Sequence, residues 1–211
     1  MVLDRIKKVR EFRINCRGKE TQSYASTPSL FSNKNNLDSF VAVPRVSSEN
    51  RKYIPNGFFN KKYIPGDTCM TILNADKYHF GVLTSEMHMT WVKFVCGRLE
   101  SRFRYSKDIV YNNFPWPENP TEKQKEAIET AAQKVLDVRL NFPGSSLADL
   151  YNPLTMPPAL VKAHNELDKA VDLAYRPQPF ANETNRIEYL FGLYDTYTAG
   201  LFVKPKKKPK K

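Results

Sequence analysis

The stretch FPWPENPTEKQ, residues 114–124, lies between two parts of the chain that differ in sequence pattern. Its first four residues, Phe114–Pro117, alternate aromatic residues with prolines, which is typical of a rigid, polyproline-like connector. Thr121 and Gln124 have the spacing of a capping box, in which each side chain accepts a hydrogen bond from the backbone amide of the other residue. A helix is therefore predicted after Thr121, and the connector is predicted to separate an α+β part from an all-helical part.

Four helical segments are predicted after the connector from N-terminal caps and from apolar side chains that repeat about every 3.6 residues. They begin at Thr121, Ser146, Pro157 and Asn182. Threonine, serine and asparagine are favoured N-caps, and proline is tolerated in the first turn because its missing amide has no partner there. Residues 113–203 are therefore predicted to form an all-helical domain.

Several short β-rich runs precede the connector. They are Phe40–Val43, Arg51–Ile54, Phe58–Ile64 and Cys69–Leu73. The sequences Pro55-Asn56-Gly57 and Pro65-Gly66-Asp67 are typical of tight turns, and short strands joined by such turns predict a β-meander.

The segments around these runs have helical or extended patterns. One helix is predicted over residues 76–97 and a short one over 2–14, from their apolar spacing. A polar loop is predicted over 15–38 and an extended basic segment over 98–112. Residues 1–112 are therefore predicted to form a small mixed α/β domain.

The positive charge of the chain is concentrated in two places. The 211 residues carry a net charge of +11. Residues 1–112 hold 19 Lys and Arg against 10 Asp and Glu, whereas residues 113–203 hold 8 against 12. Residues 204–211, KPKKKPKK, hold six lysines and no apolar side chain, so a disordered tail is predicted there. A basic first half favours a polyanionic partner, because each neutralised phosphate of a nucleic acid releases counterions.

The patterns of several enzyme classes are missing from the sequence. The chain has neither a glycine-rich nucleotide loop nor an acidic residue two positions before a lysine, an element common in nucleases. Its three histidines, His79, His88 and His164, lack the spacing of metal ligands. A binding module without catalytic or metal-ligating residues is therefore predicted.

Basic and polar residues between positions 45 and 105 form the predicted DNA-binding surface. Arginine can bind guanine or phosphate with two hydrogen bonds, serine and tyrosine can bind phosphate, and glutamate can accept from a cytosine amine. The candidates are Arg45, Ser47, Ser48, Glu49, Arg51, Lys52, Lys61, Lys62, Arg98, Arg102, Arg104 and Tyr105. An ordinary solvated basic face would have the same composition. Phe114 and Trp116 are assigned to packing rather than to base stacking.

Four longer stretches carry a resemblance to a known family. They are VPRVSSENRKYIP (43–55), FGVLTSEMHMTWVKFVCGRL (80–99), FRYSKDIVYNNFPWPENPT (103–121) and PGSSLADLYNPLTMPPALVKAHNELDKAVDLAYRP (143–177). These stretches resemble the C-terminal part of the MmeI-like DNA methyltransferases, which are single-chain restriction–modification enzymes of types IIG and IIL. The resemblance extends over about residues 25–203.

The resemblance implies a function for each part of the chain. Residues 1–112 would be a DNA target recognition domain, and residues 113–203 a C-terminal helical domain. In this family a separate catalytic domain, with an Asn-Pro-Pro-aromatic motif, methylates adenine at N6 with S-adenosylmethionine, and this sequence lacks that motif. The chain is therefore expected to hold no cofactor of its own, to bind double-stranded DNA, and to work with a catalytic methyltransferase domain in cis or in trans. The positions that read bases vary within the family, so none is transferred individually.

Two other functions stay open from the residues alone. A protein–protein adaptor would use the helical half as its docking surface, with an incidental basic tail, and would leave no DNA footprint. A standalone methyltransferase would bind S-adenosylmethionine detectably. The apolar runs are shorter than the roughly 18 to 20 residues that cross a bilayer, and the first residues carry charges where a signal peptide needs an apolar stretch. A cytoplasmic protein with no membrane partner is therefore expected.

Overall fold

The structure, a computed structural model, describes residues 1–30 and 38–199. The chain divides into a small unit over Met1–Leu37 and a larger unit over Asp38–Lys211. The tail predicted over 204–211 lies outside the described residues. Among the helices of the described ranges, none is both long enough and apolar enough to span a membrane.

The small unit consists of helical turns tied together by one arginine. Helix α1 covers Val2–Asn15, and it is followed by α2 (Lys19–Ser23) and a single 3-10 turn. The guanidinium of Arg13 donates hydrogen bonds to three backbone carbonyls of the segment after α2, at 2.8 to 2.9 Å. Helix α1 confirms the helix predicted over 2–14. The polar loop predicted over 15–38 was wrong for residues 19–26, which are helical. The bonds from Arg13 join the end of this segment to α1, and periodicity does not show them.

Two antiparallel sheets of three strands each form within residues 38–199. The strands are β1 (Ser39–Pro44), β2 (Val46–Ser47), β3 (Gly57–Asn60), β4 (Cys69–Leu73), β5 (Gly97–Leu99) and β6 (Arg102–Arg104). The first sheet has the order β3-β1-β4, and the second has the order β2-β6-β5. In the first sheet Val41 lies opposite Phe58 and Ile72, and this apolar face packs into the core.

The predicted β-meander was wrong. In a meander each strand pairs with the next one along the chain, whereas β1 lies between β3 and β4. Residues 51–54, predicted as a strand, are an irregular loop. The reason is that the buried Tyr53 hydroxyl bonds to a helical side chain, and the segment pairs with neither sheet. The broader prediction of an α+β fold with a helical C-terminal part is confirmed.

Six further helices complete the larger unit as far as Ala199. They are α3 (Lys77–Thr84), α4 (Glu86–Val95), α5 (Glu122–Leu140), α6 (Leu147–Leu150), α7 (Pro158–Tyr175) and α8 (Glu183–Thr198). The four helical segments predicted after the connector are therefore confirmed. Both hydrogen bonds of the predicted capping box at Thr121 and Gln124 are present.

Two predictions between residues 76 and 112 need correction. The single helix predicted over 76–97 is two helices, because Ser85 is extended and its hydroxyl caps α4 by accepting from the amide of His88. The segment predicted as extended over 98–112 forms the β5–β6 hairpin and then a π-helical turn at Lys107–Tyr111.

One continuous hydrophobic core joins the sheets and the helices of the larger unit. Trp91 of α4, Ile128 of α5 and Leu167 of α7 are all less than 2% exposed. Phe114 and Trp116 of the connector also pack on this core, as predicted. Residues on both sides of the domain boundary predicted between 112 and 113 contribute to this core. The boundary between two domains therefore stays a prediction.

Candidate nucleic-acid interface

The β5–β6 hairpin carries three exposed residues of the predicted contact set, Arg98, Arg102 and Arg104. Leu99 pairs with Arg102, so Glu100 and Ser101 form a two-residue turn. Glu100 has a φ of 58°, and a positive φ at the first turn position is usual for the turns that suit the twist of a hairpin. The carboxylate of Glu100 lies 2.6 Å from a guanidinium nitrogen of Arg102. The tip of the hairpin therefore presents one acceptor and one donor side by side.

The outer face of the second sheet, defined by Arg102 and Arg104, is basic and open. Residues two apart on a strand share a face, so both arginines point away from the core while Phe103 points into it. Arg104 lies opposite Val46 on one side and Gly97 on the other. Gly97 has no side chain, and a Cβ placed there would meet no atom closer than 4.0 Å. Arg104 therefore has no bulky neighbour on the Gly97 side, while the half-exposed Val46 and Leu99 lie opposite Arg104 and Arg102 on their other pairs.

Arg98 and Glu49 support the edge of the same sheet. The guanidinium of Arg98 lies 4.0 Å from the centre of the Phe103 ring and donates to the carbonyl of Ser101 at 3.1 Å. Hydrogen bonds from its own backbone amide and from the Ser101 hydroxyl lower the pKa of Glu49, and the nearby charges of Arg98 and Arg102 act in the same direction. The structure thus brings Glu49, Arg98 and Arg102 together around the hairpin turn.

The other candidates with accessible side chains lie in three separate places. Arg45 connects the two sheets, because its side chain donates to the carbonyl of Asp67 and its own carbonyl accepts from the amide of Tyr105. Lys61 and Lys62 are exposed in the turn after β3. The remaining candidates Ser48, Arg51 and Lys52 lie on the irregular loop between β2 and β3, with Arg51 half-buried and Lys52 exposed.

Two of the predicted contact residues are buried. Tyr105 is 3% exposed, and its hydroxyl lies 2.9 Å from Nε2 of His88. Ser47 is also 3% exposed, and it pairs with the inward-pointing Phe103. Both residues have the inward orientation of Phe103, so their side chains do not reach the outer face. Alternation along β6 would have shown this for Tyr105, which is two residues after Phe103.

A buried polar network behind the loop after β2 was missed by reasoning from the sequence. It is formed by Tyr53, Asn56, Arg139, Tyr151, His164 and Asp168. Burial raises the pKa of Asp168 to about 6, although hydrogen bonds from Tyr53 and from the amide of Glu86 lower it. One sequence pattern could have predicted this network. His164 and Asp168 are four residues apart on the apolar face of α7, where buried polar side chains need hydrogen-bond partners.

The histidines have packing roles among the described residues. His88 is fully buried against Phe114, and burial lowers its pKa to about 3. His79 is the exposed one and bonds to the carboxylate of Asp76 at the N-terminus of α3. Within residues 1–30 and 38–199, no group of three or more His, Cys, Asp or Glu side chains could hold a metal ion.

The strained turn of the hairpin leads to a first prediction. Glycine adopts a positive φ at no steric cost, whereas glutamate at such a position is strained. We expect Glu100→Gly to raise the free energy of unfolding by about 0.5 to 1 kcal/mol, even though an exposed ion pair is lost. Urea denaturation measures this, with Ser101→Gly as the control because Ser101 has no positive φ to relieve. A lower stability for Glu100→Gly than for Ser101→Gly would contradict the prediction.

Comparison with known proteins identifies both parts of the chain. The family model described as MmeI, target recognition domain, matches residues 1–118, and the one described as MmeI, C-terminal domain, matches residues 120–202. DNA methyltransferase A of Bacillus subtilis (strain 168) is 41% identical over 199 residues, which are 94% of this chain and 22% of that protein. A solved structure of the Type IIL restriction-modification enzyme MmeI in complex with DNA is 47% identical, with a TM-score of 0.78. That match covers 94% of this chain and 26% of the other.

These matches define a target recognition domain followed by a C-terminal domain. The chain belongs to the MmeI family, as its four quoted stretches indicated. It spans about a quarter of the length of the two relatives.

Proposed function

We propose that this chain is the sequence-specific DNA recognition region of a restriction–modification DNA methyltransferase. The observation that carries the proposal is the open basic face of Arg102 and Arg104, located in the part that matches a target recognition domain. A similar protein of this family, MmeI, has been solved in complex with DNA. Double-stranded DNA is therefore the partner that the charge, the exposed arginines and the family together favour.

The shape of the hairpin suits the major groove of DNA. That groove is wide enough to admit a two-stranded β-ribbon, and its base edges present the acceptors that arginine binds with two hydrogen bonds. Arg102 and Glu100 at the tip would offer a donor and an acceptor to base edges. Arg45, Lys61 and Lys62 would then be positioning contacts to phosphates, which carry no sequence information themselves. Ser47 and Tyr105 are left out of the proposed contacts because they are buried.

The catalytic step belongs to a domain outside these residues. We propose that the recognition region places DNA for a methyltransferase domain, in cis or in trans, that modifies adenine at N6 with S-adenosylmethionine in the cytoplasm. Such enzymes act on a base that is turned out of the duplex, so the target must be held in a fixed register relative to the catalytic domain. The family membership and the small share of each relative that this chain covers support the proposal.

A salt titration of DNA binding tests the proposed interface. We expect the double variant Arg102→Ala/Arg104→Ala to bind a fluorescent duplex at least about tenfold more weakly, because each arginine contact contributes on the order of 1 kcal/mol or more. The plot of log affinity against log salt should also become less steep, by about 1 for each of the two arginines that neutralises a phosphate, because counterions are released from phosphates. Fluorescence anisotropy at several salt concentrations measures both quantities.

A matched control removes the same charge from another surface. Lys162 and Lys169 are exposed on α7, so Lys162→Ala/Lys169→Ala lowers the net charge equally without touching the second sheet. Its affinity and salt slope should stay near those of the wild type. Equal losses in the two double variants would show that net charge, rather than the arginine face, drives binding. Failure of the wild type to bind duplex DNA at low salt, with a stable complex formed with another polypeptide, would favour the adaptor function instead.

A further inference from the structure

The loop after β2, residues 48–56, has one face in solvent and one face in the core. Lys52 and Glu49 are on the outer side, where DNA contacts were predicted. Tyr53 is 1% exposed, and Asn56 is completely buried. The loop pairs with neither sheet, so its position depends on the bonds that its buried residues make.

Tyr53 fixes the middle of this loop to helix α7. Its ring stacks on the ring of His164, with centroids 4.0 Å apart and planes at 23°. Its hydroxyl donates to Oδ2 of Asp168 at 2.6 Å, and the other oxygen of Asp168 accepts from the amide of Glu86 at 2.7 Å. One carboxylate of α7 therefore ties the loop to the first residue of α4.

Asn56 fixes the end of the loop to helix α5. Its backbone carbonyl accepts from the Arg139 guanidinium at 2.8 Å, and its side-chain amide donates to the carbonyl of Leu83 at 2.8 Å. The same guanidinium donates to the hydroxyl of Tyr151 at 3.1 Å. Tyr151 in turn lies 2.6 Å from Nε2 of His164, which completes a connected network behind the loop.

We propose that the Tyr53–Asp168 hydrogen bond positions Arg51 and Lys52 for DNA, so that the C-terminal helices set the shape of a recognition loop that they do not belong to. The inference rests on the proposed DNA-binding function. Arg51 and Lys52 immediately precede Tyr53, and the Lys52 ammonium lies 5.1 Å from the centre of the Tyr53 ring and 4.0 Å from a carboxylate oxygen of Glu86. Tyr53 and Asp168 are therefore positioning residues, which act through their neighbours rather than by touching DNA.

The variant Tyr53→Phe tests this because it keeps the stacked ring and removes the hydroxyl alone. We expect its affinity for duplex DNA to fall about threefold to tenfold, the size of a typical coupling between residues in one network. In an Arg51→Ala/Lys52→Ala background, Tyr53→Phe should cause no further loss of affinity. A separate and additive loss would overturn the inference, since the hydroxyl would then act through something other than these two residues.

Tyr175→Phe is the matched control for general destabilisation. Tyr175 is also a buried tyrosine, and its hydroxyl donates to the carbonyl of Pro115 at 2.8 Å, away from the loop. Hydrogen exchange of a peptide covering residues 48–56 should quicken in Tyr53→Phe and stay unchanged in Tyr175→Phe. Provided that the wild type binds DNA, two results would overturn the inference. One is unchanged hydrogen exchange in Tyr53→Phe, and the other is an equal loss of DNA affinity in Tyr53→Phe and Tyr175→Phe. Absence of wild-type binding at low salt would overturn the proposed function, and this inference with it.

Discussion

Replacement of Gly81 by leucine is expected to lower the free energy of unfolding by about 3 kcal/mol or more. Gly81 is buried in α3 at the place where this helix crosses α5 and α7. A Cβ atom there would lie 2.7 Å from Cγ2 of Ile128, 3.2 Å from Cβ of Ala132 and 3.3 Å from Cδ1 of Leu167. Those atoms belong to fully buried side chains in a close-packed core, so they cannot move aside without strain.

Gly192 provides the matched control because it is also a helical glycine. A Cβ at Gly192 of α8 would have no heavy atom within 4 Å. Alanine is a better helix former than glycine by about 1 kcal/mol, so Gly192→Ala should stabilise the protein by about 0.5 to 1 kcal/mol. At Gly81 even alanine should destabilise, because the overlap with Ile128 outweighs the gain in propensity.

Urea denaturation followed by circular dichroism would compare Gly81→Ala, Gly81→Leu and Gly192→Ala with the wild type. The two substitutions at Gly81 should lower the midpoint in order of size, and Gly192→Ala should raise it. A stabilising effect of Gly81→Ala would mean that α3 and α5 lie further apart than the structure shows. It would also remove the steric reason for a glycine at this crossing.

Local signals explain why the helical half was predicted well. The capping box of Thr121 and Gln124 uses residues three apart, so the bonds that begin α5 can be read from the chain itself. The break at Ser85 is just as local, but the apolar stripe runs through α3 and α4 without interruption. Periodicity therefore predicted one helix where a serine cap makes two.

The order of the strands depends on pairing between distant residues, which short patterns do not show. β1 pairs with β4 through partners such as Val41 and Ile72, and no turn sequence joins these two strands. The candidate site also has a part that local sequence patterns show and a part that depends on distant residues. Arg102 and Arg104 were candidates because they are basic, and their alternation with Phe103 on β6 explains why both are exposed. The network behind Tyr53 was missed because its partner Asp168 is 115 residues away.

The difference in stability between Asp168→Asn and the wild type is expected to change by about 2 kcal/mol between pH 4 and pH 7. Burial raises the pKa of Asp168 from its ordinary value of 3.8 to about 6. The folded state therefore holds its proton more tightly than the unfolded state does. The stability from this group is fully present only below the unfolded-state pKa of 3.8, and it is lost as the pH rises through 6. Asparagine has no proton to lose, so the variant should gain on the wild type over this range.

The charged neighbours of Asp168 modify the size of this effect but not its sign. The negative charge of Glu86 raises the pKa of Asp168, and the positive charge of Lys52 lowers it. The guanidinium of Arg186 also lies near the carboxylates of Glu86 and Asp168. Asparagine can still accept from the amide of Glu86 with its oxygen and donate to the Tyr53 hydroxyl with its amide. The proton of the Tyr53 hydroxyl then loses its acceptor, but this cost is the same at every pH, so the substitution removes the titration alone from the pH dependence.

Urea titrations at pH 4, 5, 6 and 7 would measure the change, with Asp149→Asn as the control. Asp149 is exposed, and hydrogen bonds from the side chain and amide of Ser146 lower its pKa. A lowered pKa contributes stability above pH 3.8 that is lost only as the pH falls further, so the difference for Asp149→Asn should stay constant from pH 5 to 7. A constant difference for Asp168→Asn over the same range would mean that this carboxylate is solvated in the folded protein. Tyr53 would then be held mainly by its stacking on His164. The hydrogen bond from its hydroxyl to Asp168 would contribute little to the position of the loop over residues 48–56.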